Sequence, residues 1–253
     1  MNDLLGERMK QYERETGSVL PPNSWSVLRL DGKAFHTYTK NLEKPYDIAL
    51  MGAMVGVMKF LCENISSAVF GYTQSDEISI ILTDTQSERT QLWFGGKVQK
   101  IVSVAAGYAS AKFNKFRPEQ DLAVFDARVF TLPSQPEVVN YLCWRQMDCM
   151  RNALFLAASE YYSHKELHGK TRDEKISMLA EAGREWPSRY PKTFTLGVQC
   201  KKVYKPETVS YTRKDTGATD QTNVLRAHWE VTPATEYQGV QLCELLSSEP
   251  QHQ

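Results

Sequence analysis

GYTQSDEISIIL, residues 71–82, sets two adjacent carboxylates, Asp76 and Glu77, directly before an apolar strand. Neighbouring carboxylates repel each other, and neither side chain favours a sheet. A solvated turn would accommodate them, and so would a bound divalent cation. The flanking segments decide between the two. AVFGY (68–72) and ISIIL (78–82) read as strands, with TQSDE turning between them. Upstream, WSVLRL (25–30) reads as a strand and DGKAFHTYTKNLEKP as a loop. Asp47 then stands where it would cap a helix whose apolar positions are Ile48, Met51, Val55, Met58 and Leu61. Downstream, helical spacing runs from about Glu88 to Asn114 through Leu92, Val98, Ile101 and Val102. A long strand, AVFDARVFTL (123–132), follows and is closed by Pro133.

Strand, helix, strand, strand, helix, strand is the α+β, ferredoxin-like (βαββαβ) order. In that arrangement the first and second strands run parallel, joined by a right-handed crossover. The end of the first strand and the hairpin between the second and third therefore share one edge of the sheet. Asp31 follows the first strand, and Asp76 and Glu77 sit in the hairpin, so three carboxylates from distant segments converge. A bland turn does not predict this. A hard cation resolves the repulsion, and magnesium keeps open positions for waters and substrate phosphates. Two such ions suit phosphoryl or nucleotidyl transfer. Gly32 has no side chain to keep its carbonyl from a metal. Lys97 and Lys100, three apart near the start of the second helix, and Arg29, beside Asp31, offer cations to a triphosphate. The residues thus spell a magnesium-dependent nucleotidyl-transfer domain of the polymerase-type palm class. They leave open whether it polymerises or cyclises nucleotides.

The 253 residues are 42% hydrophobic and carry 30 basic and 30 acidic side chains, which argues against a simple nucleic-acid coat. No apolar run of about 18 residues occurs, and the N-terminal segment MNDLLGERMKQYERE is charged throughout, so a cytoplasmic chain with no membrane partner is expected. Five scattered cysteines (Cys62, Cys143, Cys149, Cys200, Cys243) form no paired motif, and His164 and His168 are followed by no third zinc ligand. Residues 1–135 read as the palm with an N-terminal extension. Residues 136–253 read as a helical and strand-containing region packed on it. Within that region, 137–165 is helical, and 173–182 is a short helix capped by Thr171 or Asp173. TFTLGVQ and TVSYTR are strand-like, 213–223 is an exposed loop or hairpin, and QLCELLSSEPQHQ is a short helix with a loose tail. Basic residues cluster at Lys97, Lys100, Lys112, Lys115 and Arg117, and again at Lys201, Lys202, Lys205, Arg213 and Lys214.

LRLDGKAFHTY (28–38), GYTQSDEISIIL (71–82), FDARVF (125–130) and YLCWRQMDCMRNALF (141–155) resemble, in this order, the motifs of tRNA-His guanylyltransferases and their relatives. The resemblance covers roughly residues 20–205. It implies a homotetrameric reverse polymerase that extends the 5′ end of tRNA in the 3′-to-5′ direction. By the same resemblance, Asp31, the Gly32 carbonyl and Asp76 hold two magnesium ions, with Glu77 in support. Arg29, Lys97 and Lys100 take the triphosphate of ATP, GTP or another nucleoside triphosphate. Lys33, Ala34, Phe35, His36 and Ser75 lie against the nucleotide, Lys44 serves 5′-activation, and Arg145, Asp148 and Asn152 form the site for the tRNA 5′ end. The implied reaction has two stages. ATP adenylylates a 5′-monophosphate and releases pyrophosphate, and the 3′-hydroxyl of an incoming nucleotide then attacks that phosphate and expels AMP.

Met150, Arg151, Asn152 and Ala153 stand where the guanylyltransferases proper have His-Ile-Asn-Asn. In this the chain is similar to the bacterial and archaeal guanylyltransferase-like branch, which repairs 5′-truncated tRNAs by copying the opposite strand. The alternative is non-templated addition of G to tRNA-His. A palm-type cyclase is a third reading, and no GGDEF-like signature supports it. Tyr108, Trp144, Trp186 and Tyr190 offer rings for base stacking, and Arg151, Arg184 and Arg189 offer phosphate contacts.

Overall fold

The computed structural model describes residues 4–87 and 89–237. Its elements run α1 (Leu4–Glu15), β1 (Trp25–Gly32), α2 (Phe35–Tyr38), α3 (Ile48–Asn64), β2 (Ala68–Gln74), β3 (Glu77–Thr83), α4 (Val98–Phe116) and β4 (Phe125–Leu132). They continue with α5 (Gln135–Ala158), α6 (His164–Leu167), α7 (Arg172–Glu181), α8 (Lys192–Thr195), β5 (Val198–Thr212) and β6 (Thr219–Pro233). The strands form one sheet in the order β4–β1–β3–β2–β5–β6, with every neighbouring pair antiparallel. β1 and β2, both antiparallel to β3 between them, are parallel to each other, as the βαββαβ order requires.

Two faces of the sheet are covered, which is why β2 and β3 are mostly apolar and buried along their whole length. Leu28, Leu30, Ile78, Ile80 and Leu82 pack toward α3 and α4; Val27, Ile81, Phe70 and Tyr72 pack with Val138, Tyr141 and Leu142 of α5. Asp47 caps α3 as its position predicts, accepting from the Leu50 N–H at 2.6 Å. Ile48 is exposed, however, and the buried stripe of α3 is Ala53, Met54, Val57, Met58, Leu61 and Cys62. The second helix starts ten residues later than the apolar spacing suggests. Phe94, Gly95 and Gly96 adopt left-handed φ values of 54°, 61° and 75°, which no right-handed helix can continue. Helical residues begin at Val98, and Ile101, Ala105, Ala109 and Phe113 form the buried side.

The C-terminal segment adds to the same sheet. Gln146 on α5 binds it down: its amide donates to the Leu196 and Thr235 carbonyls at 3.2 and 2.8 Å and accepts from the Tyr237 N–H at 2.8 Å. Thr171 caps α7 in a reciprocal box with Glu174. TFTLGVQ splits: its first residues form α8, and the strand begins only at Val198, after Gly197 turns at φ 85°. β5 pairs with β2 through 198–201 alone, so the rest of β5 and β6 extends past the sheet as a two-stranded ribbon whose turn lies within 213–218. The QLCELLSSEPQHQ stretch lies outside the described residues. No described helix is long and apolar enough to cross a membrane.

Candidate active site

The edge where β1 ends is built by register. Asp31 lies opposite Glu77 of β3 and opposite Asp126 of β4. The Gly32 N–H donates to the Asp76 carbonyl at 3.1 Å, and the Thr73 hydroxyl donates to the Glu77 carbonyl at 2.8 Å, so the hairpin turn is bound to the end of β1. Ser75 takes a left-handed φ of 50°, and its hydroxyl donates to Asp76 Oδ1 at 3.0 Å. Burial pushes the Asp76 carboxyl above the usual range, and the charge of Asp31 adds to the push. The convergence of Asp31 and Asp76 at one edge, expected from topology alone, is present.

Beside this edge opens a cleft of about 590 Å³, a size typical of nucleotide-scale ligands. Its walls are Gly32, the α2 turn with Ala34, Phe35 and His36, the following loop with Lys44 and Tyr46, and the hairpin residues Ser75 and Asp76. Cys149, Asn152, Ala153 and Leu156 of α5 and Thr193 and Phe194 of α8 close it. The α2 turn is fixed by Phe35, which is buried against Phe113 and Phe125 at 5.5 and 5.2 Å between centroids. Only glycine fits beneath it: a Cβ on Gly32 would stand 2.2 Å from the Phe35 ring. Ala34, like Ser75, is left-handed, with φ 57°. Two non-glycine residues in this conformation, each costing about 1 kcal/mol or more, thus line one cleft, as strained residues at functional sites do. Lys44 Nζ donates to the Thr39 carbonyl at 3.1 Å. The same loop is anchored by Asp47, which pairs with buried Arg117 at 3.3 Å.

On the α5 side of the edge runs a chain of buried charge. Glu77 accepts from Arg145 Nε at 2.6 Å and from Arg145 Nη2 at 2.8 Å, and forms an ion pair with Arg29 Nη2 at 2.8 Å. Arg145 Nη2 also donates to Asp148 at 2.8 Å, and Arg151 reaches the other Asp148 oxygen at 2.7 Å. Burial raises the Glu77 carboxyl, and the Arg145 and Arg29 charges oppose that rise. Next to it, the Tyr141 hydroxyl shares a 2.7 Å hydrogen bond with Ser79 and is pushed up to about 12 by burial, so it stays protonated.

The model of the tRNAHis guanylyltransferase family matches residues 6–133. The chain belongs to the tRNAHis guanylyltransferase family. That makes it one of a family of nucleotidyltransferases. Among its relatives, the uncharacterized protein R259 of Acanthamoeba polyphaga mimivirus is 31% identical over 80% of this chain and 78% of its own. The tRNA(His) guanylyltransferase of Debaryomyces hansenii is 32% identical over 59% of this chain and 58% of its own, so the chain spans little more than half of that enzyme. Among solved structures, a bacterial tRNA(His) guanylyltransferase-like protein in complex with ATP superposes with a TM-score of 0.74 at 38% identity, covering 79% of this chain and 87% of that one. A bacterial guanylyltransferase-like protein in complex with GTP gives 0.69 at 35%, covering 92% of both chains. The guanylyltransferase of Saccharomyces cerevisiae gives 0.63 at 26%, covering 74% and 90%.

The guanylyltransferase-family motifs do not all meet at the cleft. Gly32, Ala34, Phe35, His36, Lys44, Ser75, Asp76 and Asn152 line it, while Lys33 is exposed beside it, its N–H bonded to the Val124 carbonyl. Glu77, expected to support metal, has both oxygens on guanidiniums. Arg29, expected at a triphosphate, is one of those guanidiniums. Arg145, expected at the tRNA 5′ end, is buried between Glu77 and Asp148. The alternation along β3 explains this: Glu77 shares a face with Ser79 and Ile81, under α5, where an unpaired carboxylate would not survive. Lys97 and Lys100 are not brought to this edge. α4 enters from the opposite end of the sheet, where the Val98 N–H bonds the Ser18 carbonyl upstream of β1, and both lysines line a separate groove with Arg14 and Ser18. Arg117, grouped above with a basic surface, is buried in its pair with Asp47. Tyr46 and Phe194, whose rings meet at 4.9 Å across the cleft wall, escaped the sequence reading. Tyr46 had a weak signal in the Lys-Pro-Tyr-Asp turn; Phe194, about 150 residues away in the chain, had none.

Proposed function

We propose that the protein is a magnesium-dependent nucleotidyltransferase that adds nucleotides to the 5′ end of tRNA in the 3′-to-5′ direction, repairing 5′-truncated tRNAs by copying the opposite strand. The observation that carries this is the meeting of Asp31 and Asp76 beside a cleft lined by Ala34, His36, Lys44 and Ser75. The donor set fits magnesium, which takes one or two carboxylates and leaves positions for phosphates. Asp76 is a carboxylate whose burial is unfavourable without a cation, and a Cβ on Gly32 is excluded where the metal-facing backbone turns. Asp31, Asp76 and the Gly32 carbonyl would hold the ions. Magnesium supplies charge neutralisation at the reacting phosphates and lowers the pKa of an attacking hydroxyl.

The chain's own residues bind and orient. The left-handed turns at Ala34 and Ser75 present backbone and hydroxyl to the nucleotide, Lys44 meets a phosphate of the activating ATP or GTP, and Asn152 contacts the RNA end. Arg29 and Arg145 hold Glu77, and through it β3, under α5. In the first stage the tRNA 5′-phosphate oxygen attacks the α-phosphate of ATP and pyrophosphate leaves. In the second the 3′-hydroxyl of the incoming nucleotide attacks the 5′-phosphate and AMP leaves.

Template-directed repair is favoured over addition of G alone by Met150 to Ala153. Of these four positions Asn152 and Ala153 line the cleft, so the wall carries an alanine where the guanylyltransferases proper have the motif's second asparagine. The closer likeness to guanylyltransferase-like proteins than to the Saccharomyces enzyme supports the same choice. Exposed Leu4, Leu5 and Met9 on α1, and Tyr204 and Leu225 on the ribbon, support a homotetramer, and the family's substrate supports a cytoplasmic one. The test is a 5′-extension assay with magnesium, ATP and labelled nucleotides, on tRNAs lacking their first nucleotide opposite G, C, A or U. Incorporation that follows the template base and vanishes in Asp76→Ala establishes repair. Incorporation of G whatever stands opposite returns the tRNA-His reading, and no incorporation even on 5′-triphosphorylated tRNA refutes polymerisation.

A further inference from the structure

Trp144 lies on α5 beside the guanidiniums of Arg29 and Arg145 and is 50% exposed. Its ring is nevertheless held firmly. Arg145 lies over it at 4.3 Å from the centroid and Arg29 at 5.9 Å, and Tyr141 meets it edge-on at 5.9 Å. The two guanidiniums are those that clasp Glu77, the residue after Asp76 and opposite Asp31. The indole is thus tied by buried groups to the reacting edge while half its surface stays in solvent.

The surroundings suit a nucleic acid strand. Met147 and Arg151 follow Trp144 at helical spacings of three and seven, so they share its flank of α5, and both are exposed. Arg128 of β4 stands in register with Arg29, and its side chain is 53% exposed. Asp126 and Asp148 are already bonded to Arg128 and to Arg145 and Arg151, so these two carboxylates are charge-paired rather than turned against a phosphate. The buried Arg29 Nε has no partner. The nucleotide cleft is lined by Ser75, Asp76 and a different face of α5, with Cys149, Asn152 and Ala153, but not by Trp144. A rigid indole beside guanidiniums is a surface on which a base stacks, whatever its identity.

We propose that Trp144 stacks the terminal base of the RNA acceptor end, so that the RNA reaches Asp31 and Asp76 over the α5 flank while the nucleoside triphosphate enters from the cleft. This rests on the nucleotidyl-transfer reading. Trp144 is a positioning residue for the RNA, and a stack indifferent to base suits an enzyme that meets many ends.

The test is equilibrium binding in magnesium of a 5′-monophosphorylated tRNA transcript lacking its first nucleotide, and of the same transcript with its end covered by an added 5′ hairpin. Binding of ATP is measured in parallel. Trp144→Ala weakens the exposed-end transcript about tenfold, or about 1.4 kcal/mol, and Trp144→Phe by no more than about threefold. The covered transcript binds wild type and Trp144→Ala alike, and ATP affinity is unchanged in both variants. The proposal is overturned by Trp144→Ala binding within about twofold of wild type on the exposed end, by an equal loss on the covered transcript, or by a matching loss of ATP affinity, which would make the ring a prop for the sheet edge. The wild-type extension assay separates the two levels. Extension by wild type with unaltered binding by Trp144→Ala removes the stacking role alone, whereas no extension by wild type removes the catalytic reading beneath it.

Discussion

Arg145→Met strips three charge-assisted hydrogen bonds from the buried chain, at 2.6 and 2.8 Å to Glu77 and 2.8 Å to Asp148. Methionine retains most of the side chain's length, so the change is mainly electrical. Burial raises the Glu77 carboxyl even with both guanidiniums in place, so relative to water the cluster is not a large net stabiliser. Removing one partner is different, because Glu77 stays buried with half its compensation. Such a loss costs about 3–5 kcal/mol, and the surviving Arg29 contact at 2.8 Å puts this case at the lower end, about 3 kcal/mol. At about 2–4 °C per kcal/mol for a chain of this length, the melting temperature falls by about 6–12 °C. Adding Glu77→Gln to Arg145→Met removes the stranded charge, so the double variant is more stable than the sum of the single losses by about 1–2 kcal/mol. Urea unfolding of the four proteins measures this cycle. A loss under about 1 kcal/mol in Arg145→Met, or strict additivity, refutes the view that Glu77 is held by, and depends on, the two guanidiniums.

Asp76 titrates above the ordinary aspartate value of 3.8, chiefly through burial. The folded state therefore favours its neutral form, and its ionised form costs stability once pH rises through that raised value. At the proposed site magnesium would bind the ionised form, so its expected stabilisation is full near pH 7.5 and shrinks as pH falls through a window above 3.8; at ten times Kd it would amount to about 1.4 kcal/mol, and thermal melts with and without magnesium across pH, with Asp76→Asn as the insensitive control, check it. Gly32→Ala drives a methyl into the Phe35 ring and lowers stability by about 1–3 kcal/mol, with weaker ATP binding by titration because Phe35 lines the cleft; a neutral outcome would show that the ring can move aside. Lys44→Ala slows extension of 5′-monophosphorylated tRNA by about 10²-fold or more and leaves a 5′-triphosphorylated substrate within a few-fold of wild type, since the latter needs no activation; equal losses on both would remove Lys44 from that step.

The convergence of Asp31 with Asp76 was legible because strand order alone carries it: a split βαβ unit puts the end of β1 and the β2–β3 turn at one edge whatever the side chains do. Asp47 as a cap and the Thr171 cap of α7 were legible for a local reason, since a capping carboxylate or hydroxyl acts within three residues of itself. Lys97 and Lys100 were misplaced because nearness to a helix start says nothing about which end of the sheet that helix leaves from. The left-handed run Phe94–Gly96 moved the start as well, and its glycine pair was the one visible sign.

What the sequence determined by itself is thus the set of local and periodic facts: strands, caps, the order that makes a palm, and the two carboxylates at its edge. What the tertiary structure decided is partnership. Glu77, Arg29, Arg145 and Asp148 all looked like groups offered to a ligand, and the fold binds them to one another across β1, β3 and α5. Phe194 and Asn152 become walls of one cleft with Ala34 and Ser75 only when α5 and α8 close over the edge. The reason is physical. A charge declares its sign in the sequence, but the fold decides whether water, a ligand or another side chain neutralises it, and inside the sheet–helix layer another side chain is required.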